Sequence, residues 1–217
     1  MLEHRLITAI AANVRQRMEG EGSGHDWWHV HRVWRMAERI GTDERADLLV
    51  VSLAALLHDI ADWKFHGGDD SVGPRVAAEM LRRHGTPEAI IGRVAQIVAE
   101  VSFKGAGVPS VPSTLEGSAV QDADRLDAIG AIGIARAFAY GGHRGQPLYD
   151  PAIEPVMHSS KEAYARSRGP TINHFHEKLL LLKDLMNTQT ARTIAESRHR
   201  FMEEYLKRFH EECDGSS

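Results

Sequence analysis

The chain has 217 residues, 42% hydrophobic and 26% charged, with a formal net charge of −4. This is enough for one well-cored domain and leaves no basic excess to hold a nucleic-acid polymer. No apolar run approaches the roughly 20 residues that cross a bilayer, and Met1 to Arg5 lack a secretory pattern, so a cytoplasmic protein without a membrane partner is expected. The only cysteine, Cys213, lies in a polar tail over 213–217, which excludes an intramolecular disulfide and argues against a cysteine nucleophile or zinc-thiolate site.

Leu6, Ile7, Ile10, Val14 and Met18 recur at helical spacing, and Gly20 to Gly24 close that helix with a loop. His25-Asp26-Trp27-Trp28-His29 opens a second helix, on which Val33, Ala37 and Ile40 continue the His29 face. His25 lies one turn before His29, while His31 points elsewhere. Gly41-Thr42-Asp43 separates this helix from a third, expected from about Asp43 to Trp63. Its apolar run from Ala55 ends in His58 and Asp59, with Asp62 and Lys64 just beyond. On a helix Asp62 follows His58 by four residues and Asp59 by three, so the three share a face. An imidazole beside a carboxylate suits a divalent cation, and a further acid can handle a proton.

His66 to Ser71 form a polar loop directly after this pair, within reach of a substrate. Pro74 suits the first turn of a helix running to His84, with Gly85 as its stop. Another starts at Thr86-Pro87-Glu88, with Ile90, Val94, Ile97, Val98 and Val101 as its apolar stripe, and Lys104 to Pro112 form an irregular loop. Ser113 and Glu116 have capping-box spacing, which predicts a helix carrying Asp122, Asp124, Arg125 and Asp127. Gly130 and Gly133 in the same run each cost roughly 1 kcal/mol relative to alanine, a cost that close approach of a neighbour or ligand would justify. Gly141 to Pro155 read as a long surface loop suited to a mobile lid. Helices resume over Ser160 to Ser167, Ile172 to Met186 and Thr190 to Phe209. No segment alternates as a strand does, so the expectation is a single all-α domain over residues 1–217 with eight or nine helices.

Three separated segments thus offer metal ligands: His29, the His58-Asp59 pair, and Asp124. Together they resemble the HD-domain superfamily of metal-dependent phosphohydrolases, whose pattern is a first histidine, a His-Asp pair and a distant aspartate. The blocks His25–His29, Leu57–Lys64, Ser102–Lys104, Asp122–Gly133 and His174–Leu180 further resemble a bacterial subgroup of stand-alone HD hydrolases, over about His25 to Phe209. The resemblance implies an HD-domain helical bundle holding one divalent ion on His29, His58, Asp59 and Asp124. This N2O2 donor set favours Mn2+ or Mg2+ and also accommodates Fe2+, Ni2+, Co2+ or Zn2+. Between the His-Asp pair and Asp124 only His66 and His84 could serve a second metal, so one ion is expected.

Within that resemblance, Asp62 orients the attacking water or takes its proton, and His25 protonates the leaving group or contacts phosphate. Lys64, Lys104, Arg125 and Lys178 fall inside the motif blocks and are expected to clamp a phosphate chain. Arg32 would tie its helix to a neighbouring acid, and Asp122 and Asp127 would orient ligands or Arg125. Trp27, Trp28 and Trp34 are expected in the core; Trp63, beside the site, could face a base or sugar. His4, His158, His199 and His210 are read as surface residues. The implied activity is hydrolysis of a small phosphorylated metabolite, foremost a nucleoside triphosphate to monophosphate and pyrophosphate, by metal-activated water. A nucleotide-binding regulator without turnover and a di-iron HD oxygenase are the alternatives. No Gly-x-Ser-x-Gly elbow or Gly-x-x-x-x-Gly-Lys phosphate loop is present.

Overall fold

Leu48–Leu57 carry no charge and no helix breaker, and they form a helix, α3, whose residues from Val50 to Leu57 are all buried. A helix that is apolar all round needs neighbours on every side. In the computed structural model, which describes residues 2–18, 26–61, 71–101, 111–157 and 169–216, α3 packs on α1 (Leu2–Arg17), α2 (Trp27–Asp43) and α5 (Glu88–Val101). The remaining helices are α4 (Val72–Arg83), α6 (Leu115–Asp127), α7 (Gly130–His143), α8 (Asn173–Glu177), a 3-10 helix (Leu179–Leu185) and α9 (Gln189–Cys213). Among the described residues there is no strand, so the architecture is all-α as expected. None of these helices is long and apolar enough to cross a membrane. The expected loops over 20–24 and 104–110, most of the polar loop at 66–71, and the expected helix over 160–167 lie outside the described residues.

The described residues fall into two compact units, one holding those up to Asp124 and the other those from Arg125 onward. In the first, α3 begins later than sequence spacing predicts because α2 runs on through Gly41 to Asp43. Gly41 is an approach point rather than a stop: a Cβ there would meet Leu48 Cδ2 at 3.1 Å and Val51 Cγ2 at 3.3 Å. Asp47 caps α3 by accepting from the Leu49 and Val50 amides. It also pairs with Arg93 at 2.7 Å, and Arg93 reaches Glu116 at 3.3 Å. Glu116 therefore serves this network, accepting from the Asp47 amide, and does not close a capping box. Thr114 caps α6 instead, accepting from the Gly117 amide, while the Ser113 hydroxyl donates to Glu100. Both hydroxyls suit a helix start; Glu100, which engages Ser113, leaves Thr114 as the cap.

In the second unit the helical run expected through Gly130 is broken. Gly130 has φ +75°, which a side chain tolerates poorly, and it separates α6 from α7. The aliphatic stem of Arg198 lies where a Gly130 Cβ would point, and the Arg198 guanidinium donates to the Leu126 carbonyl. Ile172 to Met186 is not one helix either, because Lys178 (φ −146°, ψ −55°) interrupts it and the tighter 3-10 turn follows. Phe138, Phe175, Tyr205 and Phe209 form an aromatic cluster, with Phe175 stacked on Tyr205 at 6.0 Å.

The loop expected over 141–155 begins later than the sequence predicts. Its first three residues belong to α7, and the Thr171 and Ile172 amides donate to the Pro147 and Leu148 carbonyls. Tyr149 packs edge-on against Phe209. His199 is not a surface residue: it is buried on α9, with Nε2 3.3 Å from Glu203.

Gly133 and Gly92 offer a paired test. A Cβ on Gly133 would sit 2.2 Å from the Ala128 carbonyl oxygen, whereas one on Gly92, mid-helix in α5, meets nothing within 4 Å. In urea denaturation, Gly133→Ala is expected to destabilise by roughly 2–4 kcal/mol, since backbone must move. Gly92→Ala is expected to stabilise by roughly 0.5–1 kcal/mol.

Candidate metal centre

Three chain segments of the first unit bring nitrogen and oxygen donors to one point. His29 sits in the first turn of α2, where the Asp26 carboxylate, as N-cap, accepts from the His29 amide at 2.9 Å. Val33, Ala37 and Ile40 bury the same face of α2, so the His29 side chain is turned inward and is 1% exposed. His58 is the C-cap of α3, and Asp59 follows it. Asp124 projects from α6.

His58 Nδ1 donates to the Ala55 carbonyl at 2.8 Å. A carbonyl only accepts, so the proton resides on Nδ1 and the lone pair on Nε2. That Nε2 is buried and has no hydrogen-bond partner among the described residues. It lies 3.8 Å from Asp59 Oδ2 and 3.9 Å from Asp124 Oδ1. A lone pair facing two carboxylates in a buried place is unfavourable unless a cation stands among them. His29 Nε2 meets the same two oxygens at 3.4 and 3.5 Å. The two imidazoles stand edge to face, with centroids 5.4 Å apart. His29, His58 and Asp59 each offer a ligand atom within 4.8 Å of the others.

Bonds of about 2.1 Å in an octahedral shell place neighbouring ligand atoms roughly 3.0 Å apart and opposed ones about 4.2 Å apart. The four measured separations lie between these limits, and the donor set is the N2O2 set that borderline divalent ions accept. His29, His58 and Asp59 therefore fit a divalent ion, and Asp124 stands within 4 Å of both imidazole nitrogens.

Four of the other expected site residues, His25, Asp62, Lys64 and Lys104, lie outside the described residues, as do Trp63, His66 and His158. The helix on which Asp62 was placed beside His58 ends at Leu57, so the helical-spacing argument does not extend past it. Arg125 belongs to the second unit, and its guanidinium donates to the Leu185 carbonyl. Lys178, also in the second unit, caps α8 next to His174. Burial pushes the His174 imidazole down to about 3, and the nearby Lys178 ammonium acts in the same direction.

Asp127 pairs with Arg136 at 2.6 Å, which gives it a structural partner other than Arg125; Asp122 is fully buried. His84 is exposed and shares a hydrogen bond with Asn13, and it is not in the donor group of His29, His58 and Asp59. Trp28 is 58% exposed, against expectation, and with Trp27 and Trp34 it surrounds His31 at centroid distances of 5.7–6.0 Å. Sequence reasoning missed two supports of the site. An aspartate three residues before His29 is a readable N-cap signal; the Ala55 carbonyl, being backbone, carries none.

The HD domain family model matches residues 27–129, a span that includes all four donors. The uncharacterized protein YpgQ of Bacillus subtilis is 41% identical over 99% of this chain and 97% of its own length. A crystal structure of YpgQ in complex with ADP covers 98% of this chain and 97% of that one, with 38% identity and a TM-score of 0.75. The structure of an HD-superfamily hydrolase from Bacillus thuringiensis covers 98% of both chains, with 39% identity and a TM-score of 0.78. A Lactobacillus plantarum structure reaches a TM-score of 0.82 at 39% identity, over 97% of this chain and 98% of its own.

Two predictions follow from these geometries. In differential scanning fluorimetry on chelator-stripped protein, Mn2+ at about 100 times its dissociation constant is expected to stabilise the fold by roughly 2.7 kcal/mol. His58→Ala and Asp59→Ala should each abolish the shift; an undiminished shift in either removes that residue from the ligand set. His174 predicts an acid weakness of the second unit. Its pKa is near 3 when folded and about 6.5 when unfolded. Above pH 6.5 both states hold it neutral, and as pH falls from 6.5 toward 3 only the unfolded chain takes up the proton. Stability should therefore fall with pH across that window, by up to roughly 1.4 kcal/mol per pH unit. In denaturation series at several pH values, His174→Gln should flatten this dependence.

Proposed function

This chain belongs to the HD-domain superfamily of metal-dependent phosphohydrolases, and from that premise we propose that it hydrolyses a nucleoside triphosphate to the monophosphate and pyrophosphate. The observation that carries the reading is the His58 tautomer: an imidazole locked by the Ala55 carbonyl presents a bare, buried nitrogen to two carboxylates and a second imidazole. Such a cluster is costly as mere packing and is suited to a divalent ion. The nucleotide part rests on YpgQ, which is 41% identical along nearly its whole length and has been crystallised with ADP.

A divalent ion bound there supplies Lewis acidity, lowering the pKa of a water and drawing charge from a phosphoryl oxygen. The chain's own groups have separate tasks. His29, His58, Asp59 and Asp124 hold and orient. Asp62, close in sequence to the His-Asp pair, takes the proton of the attacking water. His25, one helical turn before His29 in spacing, gives a proton to the departing oxygen. Lys64, Lys104, Arg125 and Lys178 oppose the charge of the phosphate chain. The Arg125 guanidinium also donates to the Leu185 carbonyl, which fixes where its charge stands.

The test is product analysis with stripped protein, a panel of nucleotides and phosphomonoesters, and added Mn2+, Mg2+, Co2+, Ni2+ or Zn2+. Monophosphate and pyrophosphate should form only with metal, at a rate reduced at least ~100-fold in Asp59→Ala, consistent with losing a metal ligand and its charge stabilisation. Release of inorganic phosphate alone would assign another bond. Nucleotide binding without turnover under any metal would make the protein a regulator, and two irons per chain with oxygen consumption would make it an oxygenase.

A further inference from the structure

We propose that Asp26, which offers no atom to the candidate ion in this geometry, is a positioning residue for it: its carboxylate sets where α2 begins and thereby aims His29. The inference rests on the metal-site reading. Asp26 is in extended conformation (φ −82°, ψ 176°), and its Oδ1 accepts from the amide of His29 itself. That amide is one of the orphan donors every helix start must satisfy. The acceptor therefore grips the backbone of the residue whose side chain must enter the centre.

The Val30 amide donates to the Asp26 carbonyl as well, so Asp26 holds the first turn of α2 through both its backbone and its side chain. His29 is the third residue of the helix, and its own side chain is fully enclosed, with Nε2 held 3.4–3.5 Å from two carboxylates. A one-residue shift in the register of this helix would swing His29 by about 100° around its axis, since 3.6 residues make a turn. Trp27 and Trp28, which precede it, are directed elsewhere, to the ring cluster around His31. The carboxylate also places a negative charge at the positive end of the α2 dipole. Unneutralised, that end would oppose a cation held by a first-turn residue.

The experiment is calorimetric titration of stripped, full-length protein with Mn2+ alone, which needs no nucleotide and no turnover. Asp26→Ala removes the acceptor; Asp26→Gly removes it while opening helices nearly as well as the usual caps. Both are expected to bind Mn2+ about 10-fold more weakly, the lower end of what lost outer contacts cost a metal site. Asp26→Asn keeps the acceptor without the charge and should stay within about threefold of wild type. Thr188→Ala is the control. Thr188 caps α9 through the Ala191 amide, so its loss removes an equivalent bond at another helix start and should leave Mn2+ affinity unchanged.

Asp26→Gly binding Mn2+ as tightly as wild type overturns the positioning role, as does an equal loss in Thr188→Ala. A loss in Asp26→Asn as large as in Asp26→Gly overturns the cap and leaves only charge. Wild-type protein that binds no divalent ion overturns the metal-site reading, and this inference with it.

Discussion

One hydrogen bond, from His58 Nδ1 to the Ala55 carbonyl, sets the chemistry of the centre. It spans three residues at the end of a helix, where carbonyls lack amide partners. The helix thereby satisfies one of its own orphan groups and, in the same act, chooses the tautomer of the imidazole. With the proton committed to Nδ1, Nε2 can only accept. Everything else at the centre, two carboxylates and a second imidazole, is arranged about that acceptor.

The bond is dependable because α3 is. Its residues from Val50 to Leu57 are enclosed, it packs on α1, α2 and α5, and its start is fixed by Asp47 and the Arg93–Glu116 network. The helix is a rod gripped along its length, capped at one end for stability and ending at the other in His58. The C-terminal end of a helix carries partial negative charge, which favours a cation held beside it. Burial and capping supply a fixed backbone, and the polar end supplies a fixed ligand.

The all-α class was legible in the sequence because long 3.6-residue periodicity has few other readings. The ends of elements were less legible, for identifiable reasons. Gly41 looks like a stop and is an approach surface for Leu48 and Val51. Ser113 and Thr114 are equally good caps on paper, and the choice is made by Glu100, which lies 13 residues from Ser113 in sequence. Gly130 looks like a weak point in one helix and is the left-handed joint between two. The four candidate donors were legible through motif spacing, since they are side chains on three separate segments. The Ala55 carbonyl could not be, because every residue has one. Trp28 ran against expectation for a related reason: hydrophobicity predicts burial on average, and a helix start near the surface overrides it.

The ring cluster on α2 has a practical side. The protein has four tryptophans, and Trp27, Trp28 and Trp34 all stand on α2, around His31. Indole emission responds to neighbouring imidazoles and to solvent, so the intrinsic ultraviolet fluorescence of this chain is weighted toward the very helix that carries His29. The molecule thus carries an optical reporter of its own on α2, and a change in the setting of that helix is open to measurement without a label.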